Sequence, residues 1–254
     1  MRRLLLIGIG AGHPDHITLQ AIQALNKVDV FFAIDKGEEK DDLARFRREI
    51  CETHIKGRPY RTVAASDPER DRAPLAYERA VKDWHDARAE IFEKMIAQEL
   101  GEDECGAFLV WGDPALYDST LRIIEQILSR GAAAFTYEII PGISSVQALA
   151  AAHKIALNAI GGAVHITTGR KVAAGFPEEF DTIVVMLDAN CAFKNIKDVD
   201  IDIYWGAYLG TKDEILLSGA APEMAENIAH IRSEARARKG WIMDTYLLRR
   251  RKRE

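Results

Sequence analysis

What this chain has little of narrows its chemistry. Cysteine occurs three times, at Cys51, Cys105 and Cys191, with no CxxC pair and no Cys/His cluster at metal-ligand spacing. That speaks against a disulfide framework or a zinc site, and it suits a reducing compartment where isolated cysteines are inert core residues. Long apolar runs are missing too, so nothing in the sequence reads as a membrane span. Met1 to Ile7 has the look of a signal peptide, but its apolar stretch ends at Gly8 and reads as a first strand. Positive charge is not in excess: 34 Lys and Arg stand against 39 Asp and Glu, for a net charge of -5. A general binder of nucleic acid or anionic membrane is therefore disfavoured. A soluble cytoplasmic protein is the expectation, and 254 residues at 48% hydrophobic composition suffice for one large domain or two smaller ones.

What is present is a set of glycine-bearing loops, each leaving a short apolar run. Leu4 to Ile7 reads as a buried parallel strand, followed by Gly8-Ile9-Gly10-Ala11-Gly12-His13-Pro14-Asp15-His16. Thr18 is placed to cap a helix with an apolar face of Leu19, Ile22 and Leu25. Val28 to Ile34 is a second run. Because Asp35 follows it, a nicotinamide-dinucleotide fingerprint stays open, although the third glycine comes two residues after the second rather than three. Lys36 to Arg48 is a charged loop and helix, and Ser66 to Arg72 is a polar turn. A long helix then carries Tyr77, Val81, Trp84, Ala87, Ile91 and Met95 on one stripe.

The central run, Gly106 to Val110, breaks at Trp111-Gly112-Asp113-Pro114. A helix from Asp118 to Ser129 follows, with Leu121, Ile123, Ile124, Ile127 and Leu128 at helical spacing. Tyr137 to Ile140 ends in Pro141-Gly142-Ile143-Ser144-Ser145, where a serine can cap the next helix. Loops leaving the carboxyl ends of such strands are where open α/β sheets bind ligands.

His153 to Asn158 reads as a linker, which gives domains over 1–157 and 158–254. The second half has strand signals at Val164 to Thr168, Thr182 to Leu187, Ile203 to Leu209, Glu214 to Leu217 and Gly240 to Leu248. One helix spans about Glu223 to Ala237. Closely spaced strands with few helices predict a mixed sheet beside a mainly parallel one. Arg249 to Arg253 reads as a solvated basic tail.

Taken in register, Gly8-x-Gly10-x-Gly12 with Thr18, Gly112-Asp113-Pro114, and Pro141-Gly142-Ile143-Ser144-Ser145 resemble the tetrapyrrole (corrin/porphyrin) methylase family. The sequence departs from that pattern at Ala11, where the family usually has proline, and at Trp111, where glycine is frequent. Val110 to Thr120, Tyr204 to Gly210 and Gly240 to Tyr246 extend the resemblance over nearly the whole chain, and it implies methylation of precorrin-5 at C1 with loss of acetate. The resemblance implies two α/β domains with a cleft between them for S-adenosylmethionine, left as S-adenosylhomocysteine after transfer, and a homodimer. It places the cofactor at Trp111, Gly112, Asp113, Leu116, Tyr117, Ser144 and Ser145, with Leu187, Tyr208 and Asp244 from the second half. It places the tetrapyrrole along Gly10, Gly12, His13 and Pro14.

Methyl transfer mainly requires donor and acceptor to be held in line. Acetate loss needs a proton acceptor, for which Asp15, His16 and Asp118 are the candidates beside His13. Arginines such as Arg45, Arg48, Arg70, Arg72, Arg122 and Arg170 could pair with ring carboxylates, and Arg47 could face an acidic substrate. Another methylase of the family, a nicotinamide-dependent oxidoreductase and a tetrapyrrole carrier are the alternatives.

Overall fold

The computed structural model describes residues 1–35, 41–68, 77–131 and 134–251. Lys36 to Lys40, Arg70, Arg72, Lys252 and Arg253 lie outside the described residues, as do the side chains of Asp35, Tyr77 and Val81. The chain forms two compact units, Met1–Gly10 with Pro14–Ser144, and Ala11–His13 with Ser145–Glu254.

The first unit is a five-stranded sheet of order β3-β2-β4-β1-β5, parallel at every pairing. Its strands are β1 (Arg3–Gly8), β2 (Val30–Asp35), β3 (Arg61–Ser66), β4 (Cys105–Val110) and β5 (Thr136–Ile140). Helices α1 (Leu19–Leu25), α2 (Asp41–His54), α3 (Tyr77–Glu99) and α4 (Thr120–Arg130) alternate with them. The apolar runs become central strands because both faces are covered. Leu5 and Ile7 pack with Ala21, Leu25 and Ile50, while Leu4 and Leu6 pack with Phe92, Ile96 and Ile123. Each such side chain contributes roughly 1.5–3 kcal/mol on burial. Phe92 stacks on Phe108 at 4.3 Å, and Gly106 leaves the space that the Phe32 ring fills.

Thr18 caps α1 as expected, its Oγ1 accepting from the Ala21 N–H at 3.0 Å. Two apolar stripes differ from expectation. Leu19 is exposed, and α1 buries Ala21, Ala24 and Leu25 instead. In α3 Met95 is buried and Ile91 packs on the core as expected, but among the described side chains the buried set also takes in Arg88, Ala89, Phe92 and Ile96, while Trp84 and Ala87 are only half-buried. β3, which no apolar run announces, is an edge strand whose residues are half-buried or exposed in turn.

The second unit holds a sheet of order β6-β7-β10-β8-β9. Its strands are β6 (His165–Thr168), β7 (Thr182–Met186), β8 (Ile201–Ala207), β9 (Ile215–Ala220) and β10 (Asp244–Arg250). Only β6 and β7 run parallel, so this sheet is mixed. α5 (Ser145–His153) packs on β8 and β10, and residues 145–157 thus go with this unit. α6 (Gly169–Val172) and α7 (Ala221–Lys239) complete it. Arg249 and Arg250 are the last residues of β10, not a solvated tail. Arg249 Nη2 donates to the Ala156 and Leu157 carbonyls, Arg250 pairs with Asp198 and Arg251 with Asp202. Among the described residues, no helix is long and apolar enough to cross a membrane.

Candidate functional site

In the first unit, the loops after β1, β4 and β5 meet main chain to main chain. Gly112 N–H donates to the Gly10 carbonyl at 2.9 Å, an isolated bridge between two loops. A Cβ on Gly8 would come within 2.6 Å of the Gly142 nitrogen. A Cβ on Gly142 would come within 2.1 Å of the Gly112 carbonyl oxygen. Asp113 ties the arrangement together: Oδ2 accepts from Gly142 N–H at 2.9 Å and Oδ1 from Ala115 N–H at 2.8 Å. Ser144 is buried beside Gly112, whose own missing Cβ would approach nothing closer than the Ser144 Cα at 3.6 Å. The floor so formed presents peptide groups, with room above Gly112.

Strain accompanies it. Five non-glycine residues have positive φ among those described, and three of them are expected cofactor residues: Tyr117 (53°), Leu187 (54°) and Tyr208 (50°). A non-glycine residue held there costs about 1 kcal/mol or more, a cost that functional sites often carry. Tyr117 is 44% exposed and Leu187 66%, so burial does not account for either. Leu116 is half-buried and closes the turn on the Asp113 carbonyl at 3.2 Å. Trp111 stacks against Phe46 at 5.0 Å, and its buried Nε1 has no hydrogen-bond partner among the described residues.

In the second unit, the carboxyl ends of β7 and β8 and the amino end of β10 form one edge, since Asp244 pairs with Ala207 and Thr245 with Met186. That register brings Leu187, Tyr208 and Asp244 to the same end. Ser145 joins them, its hydroxyl accepting from Thr245 Oγ1 at 3.0 Å. Two side chains in this group are committed to the fold. The Asp244 carboxylate accepts from Arg232 Nε at 2.9 Å and from Trp205 Nε1 at 3.0 Å. The Tyr208 hydroxyl donates to the Trp241 carbonyl at 2.6 Å. Both side chains are nearly buried, so a ligand at 208 or 244 would meet main chain first. Asp244→Ala strands a buried guanidinium, and the unfolding free energy should fall by about 3–5 kcal/mol. Denaturant unfolding of the variant checks this.

Leu187 is presented by its neighbour Asp188, which the sequence reading did not single out. Asp188 is buried and accepts from the Asn190 and Ala192 N–H groups and from the Tyr246 hydroxyl at 2.8 Å. Arg232 Nη2 donates to its carbonyl. Gly169 leaves room for that carboxylate, which a Cβ would meet at 2.4 Å. Only the leucine–aspartate pair at a strand end hinted at this in sequence; Arg232 lies 44 residues away.

The expected substrate loop is split in character. Gly10 and Gly12 are buried at φ 85° and 136°, while His13, Pro14 and Asp15 are exposed and His16 is half-buried. Pro14–His16 is a 3-10 turn that folds back so that a Cβ on Gly10 would meet the His16 Cβ. Asp118 Oδ1 accepts from Thr120 N–H at 2.7 Å, capping α4. Among the candidate arginines, Arg45 pairs with Asp42, and Arg45, Arg48, Arg122 and Arg170 are exposed. Burial pushes the Cys51 thiol up to about 12 and raises Cys105 and Cys191 as well, so none is a thiolate nucleophile at neutral pH. A groove of about 1010 Å3 lies at the opposite end of the second sheet, between Thr182 and Arg250; of its arginines, Arg250 and Arg251 pair with Asp198 and Asp202, and Arg249 donates to main-chain carbonyls.

This geometry can be set beside known proteins. Residues 3–225 match the family model of the Tetrapyrrole (Corrin/Porphyrin) Methylases. A Sinorhizobium sp protein named precorrin-6A synthase [deacetylating] is 52% identical over 98% of this chain and 96% of its own length. The crystal structure of a cobalamin synthesis related protein (CobF) from Corynebacterium diphtheriae is 39% identical, with a TM-score of 0.84, covering 99% of this chain and 100% of its own. A Thermus thermophilus uroporphyrin-III C-methyltransferase complexed with S-adenosyl homocysteine shares the fold at 16% identity and a TM-score of 0.60, covering 97% of this chain and 96% of its own. A family match over most of the chain, with the glycine loops of the first sheet inside it, makes this chain a member of the tetrapyrrole (corrin/porphyrin) methylase family.

Proposed function

We propose that this protein transfers a methyl group from S-adenosylmethionine to C1 of precorrin-5 and releases acetate from the extruded bridge carbon, giving precorrin-6A. The observation that carries the reading is the 52% identity, end to end, with the precorrin-6A synthase from Sinorhizobium. The cofactor supplies an electrophilic sulfonium methyl; the protein supplies position.

The residues fit such a ligand. The floor around Gly112 offers peptide groups and no tight contact at Gly112, the exposed Tyr117 and Leu187 offer apolar contact, and the Trp111 indole N–H has no hydrogen-bond partner among the described residues. Trp111, Gly112, Asp113, Leu116, Tyr117 and Ser144 would hold it from the first unit. Ser145, Leu187, Tyr208 and Asp244 are the further cofactor candidates, with main chain the accessible part at Tyr208 and Asp244. Gly10, Gly12, His13 and Pro14 would border the tetrapyrrole. For acetate loss a water adds to the acetyl carbon as the ring bond breaks, and a group must take its proton. Asp15, His16 and Asp118 are the groups to vary. A cytoplasmic homodimer with no nucleic-acid or membrane partner completes the reading.

Titration calorimetry with S-adenosylhomocysteine, followed by mass analysis of products from precorrin-5, tests it. Micromolar binding, a gain of one methyl and one acetate per turnover are expected. Methyl gain without acetate would move the assignment to another methylase of the family. A folded protein that binds no S-adenosylhomocysteine would remove the methyltransferase reading altogether.

A further inference from the structure

The first sheet is open at one place. β1 follows β4 to its end, pairing Gly8 with Val110, but β2 leaves β4 after Phe32 and Phe108. Beyond that point the two strands diverge, and the Leu109 carbonyl has no strand partner on the β2 side. Arg47 of α2 supplies the missing donor through Nε, at 3.2 Å. Phe46, next to it, packs on Trp111. Arg88 reaches the same end of β4 from the opposite face of the sheet, from α3. It is 6% exposed, with Nε 3.0 Å from Asp67 and Nη1 donating to Ser119 at 3.1 Å. The two guanidiniums are near enough to repel, and Asp118 is near enough to attract both.

Their bonding differs. Arg88 is ion-paired and held, whereas Arg47 uses only Nε. No hydrogen bond or ion pair reaches its terminal nitrogens from the described residues. Burial pulls the Arg47 pKa down, with Asp118 opposing and Arg88 assisting. A half-buried guanidinium whose two terminal nitrogens the described residues leave unbonded is costly unless water or an anion completes it. Its planar fork is shaped for a carboxylate. The loop that begins at Trp111 starts two residues after the carbonyl that fixes Arg47.

We infer that the gap between the diverging ends of β2 and β4 is a carboxylate subsite, in which the terminal nitrogens of Arg47 receive one peripheral carboxylate of the substrate. Arg88, fixed by Asp67 and Ser119, is a positioning residue that holds the loop leading into α4. The inference rests on the substrate being a polycarboxylate tetrapyrrole. It selects Arg47, a residue of a charged run that would otherwise read as solvated.

The test uses Arg47→Met and Arg47→Lys in the full chain, with uroporphyrin III, a polycarboxylate porphyrin, as the probe in a fluorescence titration. Losing a charge-assisted bidentate pair should weaken binding by roughly tenfold to a hundredfold in Arg47→Met. Arg47→Lys keeps the charge without the fork and should fall between. S-adenosylhomocysteine affinity should stay within about twofold of wild type in both variants, which separates lost substrate contact from a collapsed loop. Equal porphyrin affinity in wild type and Arg47→Met, or no porphyrin binding by the wild type, overturns the subsite. A parallel loss of S-adenosylhomocysteine binding also overturns it, in favour of a structural role for Arg47. Acetate release from precorrin-5 by the wild type is measured separately, so failure of the proposed reaction is not mistaken for failure of the subsite.

Discussion

Gly142→Ala should be among the most damaging single-methyl additions this chain can receive. The new Cβ would sit 2.1 Å from the Gly112 carbonyl oxygen and 2.9 Å from the Gly8 Cα. All of these are main-chain atoms of neighbouring loops, so no side chain can swing aside, and relief requires the β4 and β5 loops to separate. Overpacking in a fixed surround costs about 1–3 kcal/mol and sometimes more; a backbone-to-backbone clash belongs at the upper end. For a chain of this size that is a fall in melting temperature of roughly 6–12 °C. S-adenosylhomocysteine affinity should fall at least about tenfold with it. Gly112→Ala provides the contrast: its φ is +71°, but its Cβ would meet nothing closer than 3.6 Å. That variant bears only the left-handed penalty, about 1 kcal/mol. A thermal melt and a calorimetric titration on each variant check both claims. Near-wild-type values for Gly142→Ala would show that the loops do not meet as described.

Asp113→Ala should separate binding from stability. Its carboxylate holds two N–H groups, at Ala115 within its own loop and at Gly142 in the next. Truncation leaves both donors without their acceptor, costing about 1–3 kcal/mol if they stay buried and less where water replaces it. The residue is half-buried, so most of the loss is expected in ligand affinity rather than in the melt. S-adenosylhomocysteine should bind roughly tenfold to a hundredfold more weakly, because the loop carrying Gly112 to Tyr117 loses its tie to the loop carrying Ser144. Asp113→Asn serves as the companion variant. It retains one acceptor oxygen but must point an NH2 group at one of the two N–H donors, so it should recover only part of the affinity. Unchanged affinity in Asp113→Ala would displace the cofactor from this loop.

Much of the first sheet was readable because its strands are buried on both faces. Leu4 to Ile7 and Gly106 to Val110 are unbroken apolar runs, and the glycines that end them mark where main chains approach. α4 was readable from Ile123, Ile124 and Ile127, all of which are buried. β3 was not, because an edge strand needs only half its residues covered and Arg61 to Ser66 carries no apolar block. The α3 stripe was legible at Ile91 and Met95, but not where Arg88 lies inside the buried face; an arginine reads as solvent-facing until Asp67 and Ser119 are seen around it. The same holds for Arg232 with Asp244, and for Arg250 and Arg251 with Asp198 and Asp202. Ion pairing over tens of residues leaves no periodic trace. The loops that meet at Gly10, Gly112 and Gly142 were legible from glycine spacing, whereas the Asp188 anchor and the opening between β2 and β4 depend on register, which exists only once the sheet has formed.

The floor made where Gly10, Gly112 and Gly142 meet has a consequence for how such an enzyme can diversify. Peptide groups cannot be exchanged by point mutation, and the clashes at Gly8 and Gly142 penalise even one added carbon. That surface is therefore held constant while side chains elsewhere in the chain remain open to replacement. A duplicated copy of such a gene could drift toward a different methyl acceptor and inherit this main-chain surface intact.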